Sequence, residues 1–451
     1  MSDVRRTGGG FLPANRARAI RPAAALGRAG ARLLLIRAIL FPYFILMGFL
    51  QVDEISQGNV FSRVVGADVY GLVILALAPL VALTALLRPP RTYILFGCLI
   101  AAFAVSGLLS EQPGAAAGEL LVIAYGVVLS LAIYAILTSL DIRGLDRVVD
   151  DYLLAAGLLA GWGVLGFVGV LPAHAASVGG LVGGFRNTGQ AGSFFGIALA
   201  IATARLVSGR SRPINVVLAT VIAIALVLTI KRSALIGVGA SLALLLLFSP
   251  FIDRQRIRQL GVLVLLIAAL AGAGYLLMRL ASHDTAISDR LHRKVLEYSV
   301  DRFSRGFWFD NIKAAIAAFE AHPILGVGLG NIQGRWTYQY EIHSTYFTVL
   351  SSGGLVGILC YLGAMGSYFQ ALLKGAGRRL AASPTLVALT CFLAGNLLTW
   401  LYTNHLRRRE FWLLLAIGLA YATVQEKLAA RPYRPPAAPQ RGPAPNPAPA
   451  A

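Results

Sequence analysis

Four short polar segments interrupt a strongly apolar chain, and their side chains are of the kind that handles phosphate. Arg186 lies in GGFRNTGQ, Lys231 and Arg232 in TIKRSALIG, and Arg407, Arg408 and Arg409 in NHLRRRE. The fourth segment, HPILGVGLGNIQGRWTYQYEIHSTYFTVLSSGGLVG from His322 to Gly357, supplies His322, Arg335 and His343. A guanidinium fork matches phosphate oxygens, and a lysine adds a compact positive charge. A histidine beside them can orient a hydroxyl or take its proton near neutral pH. These types suit a reaction in which a bond to a diphosphate breaks and the growing charge is stabilised by positioned cations. His343 is the first candidate for the base, with Glu341, Asp310, Glu320 and Asp301 behind it.

The elements that must position these groups are membrane helices. The 451 residues are 57% apolar and 13% charged, with a mean hydropathy of +0.70, whereas a soluble domain carries about 25% charged residues. Runs near the ~20 residues that cross a bilayer recur along the chain. The spacing predicts twelve spans, near 33–50, 69–87, 93–109, 119–140, 152–171, 190–207, 213–230, 233–249, 260–280, 344–373, 384–402 and 410–426. The expected organisation is a basic cytoplasmic tail (1–32), nine spans (33–280), a long outer loop (281–343), three further spans (344–426) and a Pro/Ala-rich tail (427–451). Cys98, Cys360 and Cys391 all fall inside spans, without pairing or metal-ligand spacing, and read as small core residues.

Charge decides the orientation. The formal charge of +20 sits largely in links between spans, which argues against nucleic acid as the partner and for a lipid bilayer. With the basic N-terminus inside, the inner links RPPR, DIRGLDR, RLVSGRSR, DRQRIR and KGAGRR each hold at least two basic residues. Both termini are then cytoplasmic, and the four polar segments lie together on the outer face. A single outer arginine is explained by snorkelling to headgroup phosphates. Clusters on one face are costly without an anion to meet them, so Arg186, Lys231, Arg232 and Arg407–Arg409 are expected to bind a phosphate.

The outer loop contains GFWFDNIKAAIAAFEAHP, with Phe309, Ile312, Ile316 and Phe319 at helical spacing. It reads as an amphipathic helix on the membrane surface, ended by Pro323. GVGLGN, at 326–331, looks superficially like a phosphate loop but lacks the strand–turn–helix context and the Lys-Ser/Thr pair. A tight turn or close backbone approach is the better reading. The glycines of SSGGLVG fall within a span and suit close packing. No metal-ligand motif occurs on the outer face; Asp150 and Asp151 lie on the inner one, and neither metal nor cofactor is expected.

The order HPILGVGLGN, His343, GGLVG, together with FRNTGQ and TIKRSALIG, resembles the O-antigen ligase/polymerase superfamily of bacterial membrane glycosyltransferases. The resemblance implies an all-α polytopic fold of the GT-C-like kind, working metal-independently at the periplasmic face of the inner membrane. It implies a glycan donor on undecaprenyl diphosphate and, as acceptor, lipid A–core for a ligase or another lipid-linked repeat for a polymerase. Carried onto this chain, Arg186 and Arg232 would hold the diphosphate and His343 would orient or activate the acceptor hydroxyl. Arg407, Arg408 and Arg409 join them through the charge argument alone. The chain departs from the family pattern in having GQAGSF after the first arginine segment, Lys231 where Ser is usual, and Ser344-Thr345-Tyr346 after the histidine. The competing reading is a transporter or flippase for lipid-linked oligosaccharide, which predicts mid-membrane charges and an internal repeat. Arg37 is the chief residue that could serve it.

Overall fold

The computed structural model describes residues 23–48, 65–167, 170–171, 176–177, 180–185, 187–208, 213–248, six positions between 261 and 275, 307–331, 342–378, 383–401 and 403–430. Helices dominate: α1 (Ala23–Leu46), α2 (Gly66–Leu86), α3 (Arg91–Leu108), α4 (Pro113–Leu137), α5 (Ile142–Phe167), α6 (Thr188–Val207), α7 (Pro213–Leu228), α8 (Arg232–Phe248), α9 (Phe307–Ala321), α10 (Thr345–Arg378), α11 (Pro384–Leu397) and α12 (Arg409–Ala429). A two-residue antiparallel ribbon, Ala176–Ser177 with Gly180–Leu181, precedes α6. The protein is an all-α polytopic membrane protein, and seven of its described helices are long and apolar enough to cross a bilayer.

Each predicted span except the ninth coincides with a described helix; the ninth, at 260–280, lies outside the described residues apart from those six positions. A helix, α9, is present where the segment 309–319 predicts one, and the chain turns at Pro323. Cys391 is buried as expected, but Cys98 is exposed on α3. An apolar side chain needs no protein cover where lipid replaces water.

The helices form two groups. In one, α3 packs on α10, and α4 packs on α2, α3 and α12; in the other, α5 packs on α7, and α6 on α7, α8 and α11. The span of α6 is 83% buried and that of α2 only 22%, so α6 is central and α2 faces the surroundings. The cause is visible in the sequence GSFFG. A Cβ at Gly192 would stand 2.6 Å from Ala234 Cβ, and one at Gly196 2.7 Å from Val238. Two glycines four apart therefore let α8 lie directly on α6.

Several charges at the far end of the bundle are paired. Arg37 of α1 donates to both Asp151 oxygens at 2.7 and 2.8 Å. Arg205, at the end of α6, reaches Asp150 and the Asp146 carbonyl, and Tyr421 of α12 donates to Asp146 Oδ1 at 2.7 Å. Three carboxylates on one stretch of α5 thus tie α1, α6 and α12 together. Arg37, the charge that could serve a transporter, is thus ion-paired with Asp151.

Candidate active site

Three helix N-termini and one link meet at the opposite end. Each is set by local chemistry. Asp68 sits in the first turn of α2, where its carboxylate accepts from Val65 N at 3.0 Å and complements the positive helix end. Asn187 caps α6, its side-chain oxygen accepting from Gly189 N and Gln190 N, both at 2.9 Å. The link between α11 and α12 carries Arg407 and Arg408, and Arg409 opens α12.

That link is stapled to the start of α10. Thr345 N donates to Thr403 O at 3.1 Å, Thr345 Oγ1 to the same oxygen at 2.9 Å, and His405 N to Thr345 Oγ1 at 3.0 Å. His343, two residues before Thr345, is exposed and shares a cavity wall with the arginines. The histidine and the arginine run therefore belong to one rigid unit, although about sixty residues separate them in sequence.

The cavity encloses about 780 Å³. Its polar wall holds Lys231, His343, Arg407, Arg408, Arg409 and Asp68, with Gln190 and Asn404 beside them. Its apolar wall includes Val69 and Leu72 of α2 and Leu121 of α4, all more than half exposed. Four cations against Asp68 in the lining and Glu119 behind Arg407 leave a net positive, anion-attracting chamber, and the outward apolar side suits a chain held in lipid.

The three consecutive arginines point to different partners. Arg409 clamps Asp68, with Nε 2.5 Å from Oδ1 and Nη2 on Oδ2. Arg407 Nε lies 2.7 Å from Glu119 Oε2 on α4. Arg408 Nη1 donates to Gly189 O at 3.1 Å and Ser193 Oγ at 2.8 Å, on α6. Lys231 converges on the same spot: a Cβ at Gly189 would stand 3.3 Å from Arg408 Nη2 and 3.4 Å from Lys231 Cε. A glycine, two cations and the positive end of α6 therefore gather at one point.

Backbone strain supports that placement. Ile230, immediately before Lys231, has φ 49° and is the one non-glycine residue with positive φ among the described residues. A β-branched side chain is poorly tolerated there. Such strain persists where surrounding structure over-determines it, commonly at sites that need a set geometry.

The remaining expected residues divide. Arg232 is half-buried in the first turn of α8 and stands outside the cavity lining. His322 is exposed beyond the end of α9 and also stands apart. Arg186, Arg335, Glu341 and Asp301 lie outside the described residues. His405 is buried, hydrogen-bonded through Nε2 to Thr403 Oγ1 at 2.9 Å and tilted 5.0 Å from the Trp400 ring. Burial, helped by the Arg408 charge, holds its pKa well below the ordinary imidazole value, so it is a neutral structural group.

GVGLGN is a packing device. Gly326, Gly328 and Gly330 all have positive φ, and Val327 N and Gly328 N donate to Ser351 O and Ser352 O at 2.9 and 3.1 Å. α10 kinks at Gly354, φ 58°, where Leu355 N and Val356 N turn to Pro323 O and Ile324 O. The freed amides and carbonyls of the kink are thus satisfied by the glycine loop.

Asp68, Glu119, Gln190 and Asn404 were not among the expected residues. A sequence signal existed for the two carboxylates: each is the only acidic residue in its helix, α2 or α4. A lone charge in an apolar span demands a partner.

Residues 214–362 match the O-antigen ligase family. The matched stretch includes Lys231, Arg232, His322, Arg335 and His343 and ends before the arginine run. No curated protein matches the chain.

Proposed function

The chain carries the O-antigen ligase domain over residues 214–362, and from it we propose that it transfers a glycan from an undecaprenyl-diphosphate carrier to an acceptor hydroxyl. The work is done at the periplasmic face of the bacterial inner membrane, with both termini in the cytoplasm. The acceptor is lipid A–core or a second lipid-linked glycan.

The observation that carries the reading is the meeting of Lys231, Arg408 and the α6 N-terminus in a chamber that also holds His343. In the proposed reaction the acceptor oxygen attacks the anomeric carbon and the sugar–diphosphate bond breaks. The leaving diphosphate keeps the electron pair, and the hydroxyl proton passes to His343 Nδ1 or Nε2. Lys231 and Arg408 offset the developing charge, and Arg186 and Arg232 remain donor-binding candidates through the sequence and its family resemblance alone. Arg407 and Arg409 are partly neutralised by Glu119 and Asp68, so their role is to hold the chamber walls and orient the glycan. The apolar side at Val69, Leu72 and Leu121 accommodates the polyprenyl chain, which needs an exit into lipid.

The test is complementation of a deletion strain with Lys231→Ala, Arg408→Ala and His343→Ala. All three are expected to leave surface glycan missing and donor accumulated on the outer leaflet at normal protein levels. Long lipid-linked polymer with bare acceptor marks a ligase, and single repeats mark a polymerase. Normal transfer by all three variants, or donor stranded on the cytoplasmic leaflet, overturns the proposal.

A further inference from the structure

A second cavity lies at the other end of α12, about 30 Å from the arginine run by helix rise. It encloses about 330 Å³ between the N-terminus of α3, the start of α5, the last third of α10 and the end of α12. Nothing in the glycan-transfer reading uses it.

Its wall has a defined polar pattern. Arg91 and Lys374 bring two positive charges, both exposed, and neither has an ion pair among the described residues. Pro90 caps α3 without any side-chain hydrogen bond, so the amide-rich end of an 18-residue helix also faces this corner. One carboxylate, Glu426, lies in the same wall. Gln425 adds a buried carbonyl oxygen, Oε1, that has no hydrogen-bond partner among the described residues. A buried acceptor left without a partner is costly, and a donor on a ligand would recover that cost. Of the other polar groups, Thr92 and Ser367 bond to each other at 3.2 Å and Thr423 to Tyr134 Oη at 3.2 Å, and Gln370 completes the wall.

The pattern is therefore cationic on the α3–α10 side and acceptor-rich on α12. Around it the wall is apolar, with Ile142, Leu419, Ala422 and Leu428. Ile94, one turn along from Arg91, and Leu373, beside Lys374, are both more than half exposed. A ligand that fits carries a phosphate beside an ammonium and continues into hydrocarbon.

We propose that this cavity binds a diacyl phospholipid of the ethanolamine type, its phosphate on Arg91 and Lys374 and its ammonium on Glu426 and Gln425. A choline headgroup lacks the N–H donors that Gln425 Oε1 requires, and a glycerol headgroup lacks the charge that Glu426 requires. The headgroup sits in the cavity, and its acyl chains lie along Ile94 and Leu373. The site needs no part of the glycan-transfer assignment, and its test does not read glycan transfer.

The test is native mass spectrometry of the full-length protein in detergent, titrated with dioleoyl phosphatidylethanolamine, phosphatidylglycerol or phosphatidylcholine, with soluble glycerophosphoethanolamine as a separate arm. The ethanolamine lipid is expected to be retained best. Arg91→Ala/Lys374→Ala should weaken its retention roughly tenfold or more, while Arg88→Ala, exposed in the same link but outside the cavity, leaves it unchanged. Glu426→Gln should abolish the preference over the glycerol lipid even where the double variant folds poorly. Unchanged retention in the double variant, equal retention of the choline lipid, or displacement by the soluble headgroup at lipid-like concentrations overturns the proposal.

Discussion

The Arg409 guanidinium grips both oxygens of Asp68, joining the first turn of α12 to the first turn of α2 across the mouth of the large cavity. Asp68 is also anchored by Val65 N, and its carbonyl accepts from Tyr125 of α4 at 2.6 Å. Three helices therefore meet at one residue, α12 on its carboxylate and α4 on its backbone carbonyl, and the least buried of the seven candidate spans is held by it.

Removing one partner of such a pair leaves the other charge poorly solvated. Asp68→Ala is expected to lower stability by about 3 kcal/mol, read as an earlier thermal unfolding transition in detergent. Arg409→Lys should recover only part of the loss, because a lysine cannot make the two parallel bonds. Equal stability of Arg409→Lys and the parent would show that the fork is unimportant.

Lys231 and Arg232 are neighbours with different surroundings, since Lys231 lines the cavity and Arg232 begins α8 outside it. Both are expected to matter for transfer, but differently. Lys231→Ala should reduce the turnover rate by about 100-fold, the scale of losing one preorganised charge stabiliser, with little change in unfolding temperature. Arg232→Ala should abolish transfer and also perturb the α8 start. Turnover measured in vesicles with purified donor, beside melting curves, separates the two.

Gly354 sits at a left-handed position where a Cβ would fall 2.4 Å from Ile324 O. Gly354→Ala is expected to destabilise the protein by about 2 kcal/mol or more. Gly366→Ala on the same helix, with nothing within 4 Å of the new Cβ, should be neutral or slightly stabilising. Unfolding midpoints of the two variants test whether the glycine loop is structural.

His405 is held neutral by burial. The unfolded chain takes up its proton below about pH 6.5 while the folded chain resists it. Its contribution to stability is therefore complete above that value and is lost as pH falls below it, at up to about 1.4 kcal/mol per pH unit. The unfolding temperature should drop on acidification from about pH 7.5 to about pH 5, and His405→Gln should flatten that slope. An unchanged slope would assign the acid sensitivity to other groups.

Much of the scaffold was legible in the sequence because a membrane helix is specified by a local property. About twenty apolar residues suffice, whatever the neighbours, so each described span could be read from its own window. The amphipathic helix α9 and its stop at Pro323 were local in the same way, as was the preference for a turn at GVGLGN. The membrane class and the candidate cations followed from composition and from basic residues out of place. Which of those cations share a chamber was not legible, because it depends on pairings across hundreds of residues: Arg409 with Asp68, Arg407 with Glu119, Arg408 with Gly189. That Asp68 is the lone acid of an apolar span said that it needs a partner, but not that the partner would be Arg409. The three adjacent arginines looked equivalent, and only the packing of α2, α4 and α6 around α12 gave each a different partner. Local hydropathy determined where the chain crosses the membrane; long-range charge pairing, which exists only once the helices have packed, decided what lies inside.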